Sequence, residues 1–294
     1  MTQVTPQLSE QTEYVKFWND TLANKFDRFR HILMEGLSHH SDVPLERLRV
    51  APGSRILDVG CGWGDTAMIL AHKTGPEGYV LGVDCVDQFL QKARADAAEA
   101  GLHHIDFVAG DVERYPFEQT FDLCFSRFGM MFFEQPVWAM RNVRKALRPS
   151  GELMFIVWRD IADNPGLGLA KSVVLEFLPP PGDGARTCGP GPFSMSSRDV
   201  VSQQLEIAGF QELNFERIDG PITIGASLDD AVAFQLALGP AGEVYREAGE
   251  TAQARHAEIE QALREALKPY QKDDGSVVTP SSSWCITAKS SPDP

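Results

Sequence analysis

Cysteine is scarce and unpaired in this chain. The five cysteines among 294 residues stand at 61, 85, 124, 188 and 285, with no Cys-x-x-Cys pair. That excludes a disulfide framework and a thiolate zinc site, leaves no expected metal, and predicts a reducing, cytoplasmic setting. Long apolar runs are missing too: nothing approaches the roughly 18 apolar residues that span a bilayer. No basic-led apolar N-terminal segment reads as a signal peptide. Positive charge is in deficit. The formal net charge of −14 argues against nucleic acid or an anionic membrane as partner, because phosphates are held by positive faces. No internal repeat is found. What remains is a globular chain of ordinary hydrophobicity, long enough for one large domain and its core.

The organising stretch is Arg55-Ile-Leu-Asp-Val-Gly-Cys-Gly-Trp-Gly64. Ile56, Leu57 and Val59 predict a buried strand, the glycines a turn, and Thr66 to Ala71 the start of a helix. A strand, a glycine turn and a helix in that order make the phosphate- or nucleoside-binding corner of an open α/β sheet. The glycines supply backbone angles that other residues avoid and let a ligand approach bare main chain.

The rest of the chain repeats the alternation. Residues 10 to 37 carry Tyr14, Phe17, Trp18, Leu22, Phe26, Phe29, Ile32 and Leu33 at helical spacing, predicting one or two amphipathic helices. His39-His40 falls in a polar linker and reads as solvated. Strands are predicted at 79–84, 104–111, 121–126 and 152–158. Asp87 is placed as N-cap of a helix ending at Gly101, and Pro136 opens another. Such apolar strands imply a parallel sheet covered on both faces. Residues 160 to 178 read as helical, Ser196-Ser-Arg-Asp199 as a capping box, and 211–218 as a sixth strand. Residues 227 to 269 read as helical, followed by a last strand at 283–288.

Spacing separates the cofactors that use this corner. Read from Gly60, the dinucleotide fingerprint Gly-x-Gly-x-x-Gly fails at Asp65; read from Gly62 it passes only in the looser form ending in Ala67. Asp65 would also set a negative charge beside a pyrophosphate. Asp84 ends the second strand, where a carboxylate accepts ribose hydroxyls. Asp111 ends the third, where a carboxylate can accept from the exocyclic amine of adenine. Together they describe an adenosine that needs no phosphate.

At this point Asp58-Val-Gly-Cys-Gly-Trp-Gly64, Gly-Val-Asp84, Gly-Asp111 and Phe-Asp122-Leu-Cys-Phe-Ser126 resemble the successive motifs of class I S-adenosylmethionine-dependent methyltransferases. The resemblance covers roughly residues 50 to 160. It is greatest to the branch holding the ubiquinone and menaquinone C-methyltransferases and many small-molecule enzymes. The chain departs from the quinone enzymes in its helical stretch of about 40 residues before the last strand. The resemblance implies a Rossmann-like three-layer α/β sandwich, its seven-stranded sheet mostly parallel with the last strand antiparallel, plus a helical lid. It implies one domain over 1–294: an N-terminal helical extension at 10–48, a cofactor core at 50–160, and lid insertions at 160–195 and 227–270.

Carried over by position, Gly60 and Gly62 would let the methionine part of S-adenosyl-L-methionine lie on backbone, with Asp58 beneath them. Asp84 would hold the ribose and Asp111 the adenine amine, with Cys85 and Val112 against the ring. Ser126 and Arg127 would lie beside the methionine moiety, and Cys61 belongs to the same loop. Phe128, Met131 and Phe132 follow the fourth strand at the carboxyl edge, and with Tyr14 and Trp18 they form the expected wall of an acceptor pocket. The acceptor would be a small, partly apolar molecule, and the protein a monomer or homodimer.

No catalytic base is singled out. His72, His103 and His104 fall at the wrong end of the sheet, and Glu134 reads as a helix-start acid. His31 and His256 lie on elements that could roof the site. Two other functions stay open: an NAD-dependent oxidoreductase, although no Tyr-x-x-x-Lys pair is present, and a catalytically silent cofactor-binding protein. Nucleic-acid methylation is disfavoured, because the fourth strand ends Ser-Arg-Phe-Gly and not Asn/Asp-Pro-Pro-Tyr.

Overall fold

The computed structural model describes residues 12–182, 185 and 189–291. The polar N-terminal residues 1 to 9 and Cys188 lie outside them. One sheet is formed by β1 (Arg55–Val59), β2 (Tyr79–Asp84), β3 (Ile105–Ala109), β4 (Phe121–Arg127), β5 (Leu147–Trp158), β6 (Phe210–Gly225) and β7 (Val277–Ser290). Their order is β3-β2-β1-β4-β5-β7-β6. The pairs among β1 to β5 are parallel, and β7 runs antiparallel to both β5 and β6. The expected seven-stranded sheet with its last strand reversed is borne out. Because β6 is antiparallel to a reversed strand, its carboxyl end reaches the same edge as those of β1 to β5.

Ahead of the sheet come α1 (Glu13–Phe17), α2 (Ala23–Arg28) and α3 (His39–Arg47). Instead of one or two continuous helices, wide π turns at 18–22 and 32–36 interrupt the segment. These widened turns carry Trp18, Leu22 and Ile32 into the core. Then follow α4 (Asp65–Thr74), α5 (Asp87–Glu99), α6 (Pro136–Ala146), α7 (Pro165–Leu175), α8 (Arg198–Ala208), α9 (Leu228–Ala237), α10 (Gly239–Glu247), α11 (Glu250–Ala254) and α12 (His256–Leu267).

The period of two along each strand sorts the core into two layers. Ile56, Val80, Phe125 and Ile156 meet Leu70, Leu90 and Ala93 of α4 and α5 on one face. Leu57, Val83, Leu153 and Phe155 meet Met140, Val143 and Leu205 of α6 and α8 on the other. Every one of these side chains is fully buried. A third cluster packs Trp18 and Leu22 on Trp63 and Phe89, laying the N-terminal segment over the glycine turn.

Several sequence expectations need correcting. Val86, not Asp87, is the N-cap of α5, and Asp87 occupies its first turn. Strand β6 runs seven residues past its predicted end, to Gly225, because β7 pairs along its length. His39-His40 is not a solvated linker: it opens α3, and His40 is completely buried. Ser281 Oγ donates to the Gly220 carbonyl at 2.8 Å, so it accepts the Nε2 proton of His40 at 2.7 Å. The neutral ring then takes a hydrogen bond at Nδ1 from Ser283 Oγ at 2.8 Å. Nothing at sequence level pairs residue 40 with the last strand. The capping box does not form as read: Ser197, not Ser196, is the N-cap of α8, its hydroxyl accepting from Val200 N–H, so an apolar side chain and not Asp199 stands third in the helix; Gly209 closes α8 in a left-handed conformation.

Burial, aided by the neighbouring His39, lowers the His40 pKa from 6.5 to about 4. The unfolded chain therefore binds more protons between those values, and stability rises with pH across that window. This group alone is expected to remove about 3 kcal/mol as pH falls from about 6.5 to about 4. A His40→Gln variant lacks that component. Chemical denaturation at several pH values should show the gap between wild type and variant narrowing toward pH 4; a constant gap contradicts the assignment.

Candidate active site

The glycine bend is built where two loops cross. Gly60, Gly62 and Gly64 all have positive φ, which glycine adopts without steric cost. The turn after β4 presses on the first of them: a Cβ on Gly60 would stand 3.0 Å from Gly129 Cα, and one on Gly129 2.9 Å from the Val59 carbonyl. Both positions need glycine because bare backbone meets bare backbone. Phe128, beside that crossing, holds a left-handed φ of 57°, a conformation of order 1–2 kcal/mol above the ordinary one. Its ring stacks on Trp158 at 4.2 Å.

Above the bend lies a cavity of about 230 Å3 along the carboxyl edge of the sheet. Gly60, Cys61, Gly62, Asp84, Cys85, Asp111, Val112 and Arg127 line it, as do Tyr14, Trp18, Phe128, Met131 and Phe132. Thirteen of the fifteen residues singled out from sequence thus share one wall. Asp58 and Ser126 do not: both are wholly buried behind it.

Each acid is held differently. Asp84 Oδ2 accepts from Gly62 N–H and Oδ1 from Val86 N–H, both at 2.9 Å. It therefore braces the bend against β2 as well as facing the cavity. Burial raises its pKa, against the lowering effect of those N–H groups. Asp111 Oδ1 accepts from Glu113 N–H at 3.0 Å. Asp58 Oδ2 accepts from Thr66 Oγ1 at 2.7 Å, while Oδ1 and the Ser126 hydroxyl have no hydrogen-bond partner among the described residues. Burial pushes the Asp58 carboxyl up to about 7. Burial likewise holds the Cys61 and Cys85 thiols well above their usual range, so neither is a thiolate nucleophile.

Sequence reasoning missed four features. Arg127 is ion-paired with Asp65 at 2.6 Å on the cavity wall. Trp158, Ile222, Ile224 and Phe234 extend that wall across β5, β6 and α9. Gly129 is half of the loop crossing. Tyr14 donates its hydroxyl to the Phe132 carbonyl at 2.5 Å, tying α1 to the turn after β4. The apolar run 128–133 was the visible signal for this wall; the partner of Arg127 had none. No histidine lines the cavity. His31 pairs with Asp230, His256 with Tyr245, and His104 with the Ala71 carbonyl. Among the described residues no cluster of His, Cys, Asp or Glu could hold a metal, and no helix is long and apolar enough to cross a membrane.

Residues 56–151 match the profile of a protein family described as a methyltransferase domain. The chain is 32% identical over 113 residues to demethylmenaquinone methyltransferase of Listeria monocytogenes, a match covering 38% of this chain and 48% of that protein. It thus spans about half the length of that relative. To the ubiquinone/menaquinone biosynthesis C-methyltransferase UbiE of Ectopseudomonas mendocina it is 26% identical over 228 residues, covering 73% and 88% of the two chains. Among solved structures, Bacillus subtilis YcgJ superposes with a TM-score of 0.57 at 16% identity, covering 86% of this chain and 98% of that one. Haemonchus contortus phosphoethanolamine N-methyltransferase 2, solved with S-adenosyl-L-methionine, gives 0.57 at 14%, covering 96% and 61%. At those identities the likeness is one of fold.

Two outcomes follow from the geometry. Gly129→Ala should cost roughly 1–3 kcal/mol in denaturant melts, since its Cβ has no room beside Val59. For Asp58 the folded pKa is raised, so stability present below about pH 4 is lost as pH rises through about 7, by about 4 kcal/mol. Asp58→Asn removes that slope. The variant should gain on wild type between pH 4 and 8, and parallel pH profiles would show that Asp58 ionises freely.

Proposed function

We propose, on the premise that residues 56–151 form a class I S-adenosylmethionine-dependent methyltransferase domain, that the chain transfers a methyl group from that cofactor to a small, partly apolar acceptor. One observation carries the reading. A single cavity runs along the sheet edge, acidic over β2 and β3 and aromatic or aliphatic over β4, β5 and β6, with the glycine bend between. A nucleoside and an apolar acceptor fit the two halves of such a cavity, with the reacting atoms meeting at the bend.

The residues fit the cofactor. A Cβ on Gly62 would meet nothing within 4 Å, so the bend leaves open space for a ligand. Asp84 and Asp111 would accept from ribose and adenine, Cys85 and Val112 would flank the ring, and Gly60, Cys61 and Arg127 would border the methionine moiety. Asp58 and Ser126 would act from beneath. When bound, the cofactor supplies an electrophilic methyl on a sulfonium that leaves as a neutral thioether, so no acid is required. The work left to the protein is alignment and exclusion of water. Phe128, Met131, Phe132, Tyr14 and Trp18 would do that work, and aromatic faces suit a sulfonium's charge.

We read residues 10–48, 160–195 and 227–270 as a lid over the core at 50–160. Leu167, Pro192, Phe234, Leu238 and Pro240 from those segments line the cavity. The relatives named for menaquinone and ubiquinone synthesis support an apolar acceptor but do not identify it. Free thiols at Cys61, Cys85, Cys124 and Cys285 support a cytoplasmic setting. The acidic surface charge speaks against nucleic acid as the substrate.

Binding decides between the readings. Calorimetry should show S-adenosylhomocysteine and S-adenosylmethionine binding at micromolar or tighter affinity, and NAD not at all. Asp84→Asn should weaken both by roughly ten- to hundredfold, through lost ribose contacts and a loosened bend. Binding of NAD alone would overturn the proposal. Cofactor binding without methyl transfer to any acceptor panel would favour a silent binding protein.

A further inference from the structure

We propose that His40 is a positioning residue for the acceptor half of the cavity: its ring, held by two serines of β7, fixes the stacked Phe128 and Trp158 against which the acceptor would lie. This rests on the methyl-transfer reading above. His40 is fully buried and is not part of the cavity wall, whereas Phe128 and Trp158 both line it. Its ring meets Trp158 edge-on at 5.1 Å and Phe128 at 6.1 Å between centroids, so it stands behind that stacked pair.

Register explains how a residue of α3 comes to stand there. Ser283 is the partner of Trp158 across β7 and β5, so the two side chains leave the sheet on the same face. Ser281, two residues away, shares that face, and its partner on β6 is Gly220. A Cβ on Gly220 would stand 2.0 Å from His39 Cδ2, so the missing side chain lets the start of α3 settle on the strands. His40 Nε2 then donates to Ser281 Oγ at 2.7 Å, and Nδ1 accepts from Ser283 Oγ at 2.8 Å. Turning the ring would strand both nitrogens away from water, so the hydrogen bonds fix its plane as well as its place.

The wall needs such a prop. Phe128 holds a left-handed φ of 57°, and a strained residue persists only where its surroundings over-determine it. Its neighbour Gly129 is packed against Val59 and Gly60, while its ring is fixed by Trp158 and His40. An aliphatic side chain could fill the space at residue 40, but it has no donor or acceptor through which the serines could lock its orientation.

The alternative is a residue that only ties α3 to β7. Calorimetry with two probes, together with the emission of Trp158, separates the two. S-adenosylhomocysteine tests the nucleoside half; 2-naphthol, a flat apolar hydroxyl compound added in its presence, tests the acceptor half. His40→Gln keeps hydrogen-bonding atoms and removes the ring. For it we expect 2-naphthol to bind roughly three- to tenfold more weakly, the range of an aromatic edge contact, and S-adenosylhomocysteine to change by less than about twofold. Trp158 emission is read as the difference between the protein with and without Trp158→Phe. On the His40→Gln background that difference should move to longer wavelength as the indole loosens. Ser283→Ala, which keeps the ring and removes one hydrogen bond, should shift both readouts the same way by less, and it serves where His40→Gln does not fold. Unchanged 2-naphthol affinity, an unmoved Trp158 emission, or equal loss for both ligands would overturn the assignment. Where wild type binds S-adenosylhomocysteine but not 2-naphthol, the Trp158 emission alone decides. Failure of wild type to bind S-adenosylhomocysteine would instead sink the cofactor reading beneath it.

Discussion

The half-buried Asp84 carboxylate holds the arrangement together. One oxygen takes the N–H of Gly62 and the other that of Val86, so a single side chain fastens the glycine bend after β1 to the end of β2. Were the bend to drift away from β2, the carboxylate would lose the Gly62 N–H that it now accepts from. On its other side the bend is stopped by Gly129, whose backbone sits against Gly60. Fixed from both sides, the bend sets where β4 ends, where α4 begins, and hence where Arg127 and Asp65 meet.

Charge is distributed unevenly around that fixed point. The carboxyl edge gathers Asp58, Asp65, Asp84 and Asp111 along β1 to β3, while β4 to β6 supply Phe128, Trp158, Ile222 and Ile224. Neutral His40 and raised-pKa Asp58 place opposite pH slopes in one core, so the total hides what each residue contributes. Burial disfavours the charged form of both groups, the same desolvation that raises the Cys61 and Cys85 thiols.

The roof over the cavity is made by segments remote in sequence. Tyr14 bonds the Phe132 carbonyl, His31 pairs with Asp230, and Phe29 meets Phe234 edge-on. The N-terminal segment and α9 therefore close on each other as well as on the sheet. The roof is mostly aromatic and aliphatic, with Glu243 and Arg246 of α10 also lining the cavity.

Much of this was legible in the chain. Apolar strand runs, the three glycines and the acids ending β2 and β3 are local signals, because strand burial and turn geometry act over a few residues. Thirteen of the fifteen candidate residues read from them line one cavity. Cap positions slipped by a residue locally, but the larger errors were long-range: His40 looked solvated because its serine partners lie some 240 residues away, and β6 looked short because its pairing along β7 is not written in either strand alone. The sequence alone determined the sheet, the bend and the chemistry at its corner. Only the tertiary structure decided which charge meets Arg127, which backbone needs Gly129 and which helices close the cavity, since pairing across the fold leaves no periodic trace in the residues that pair.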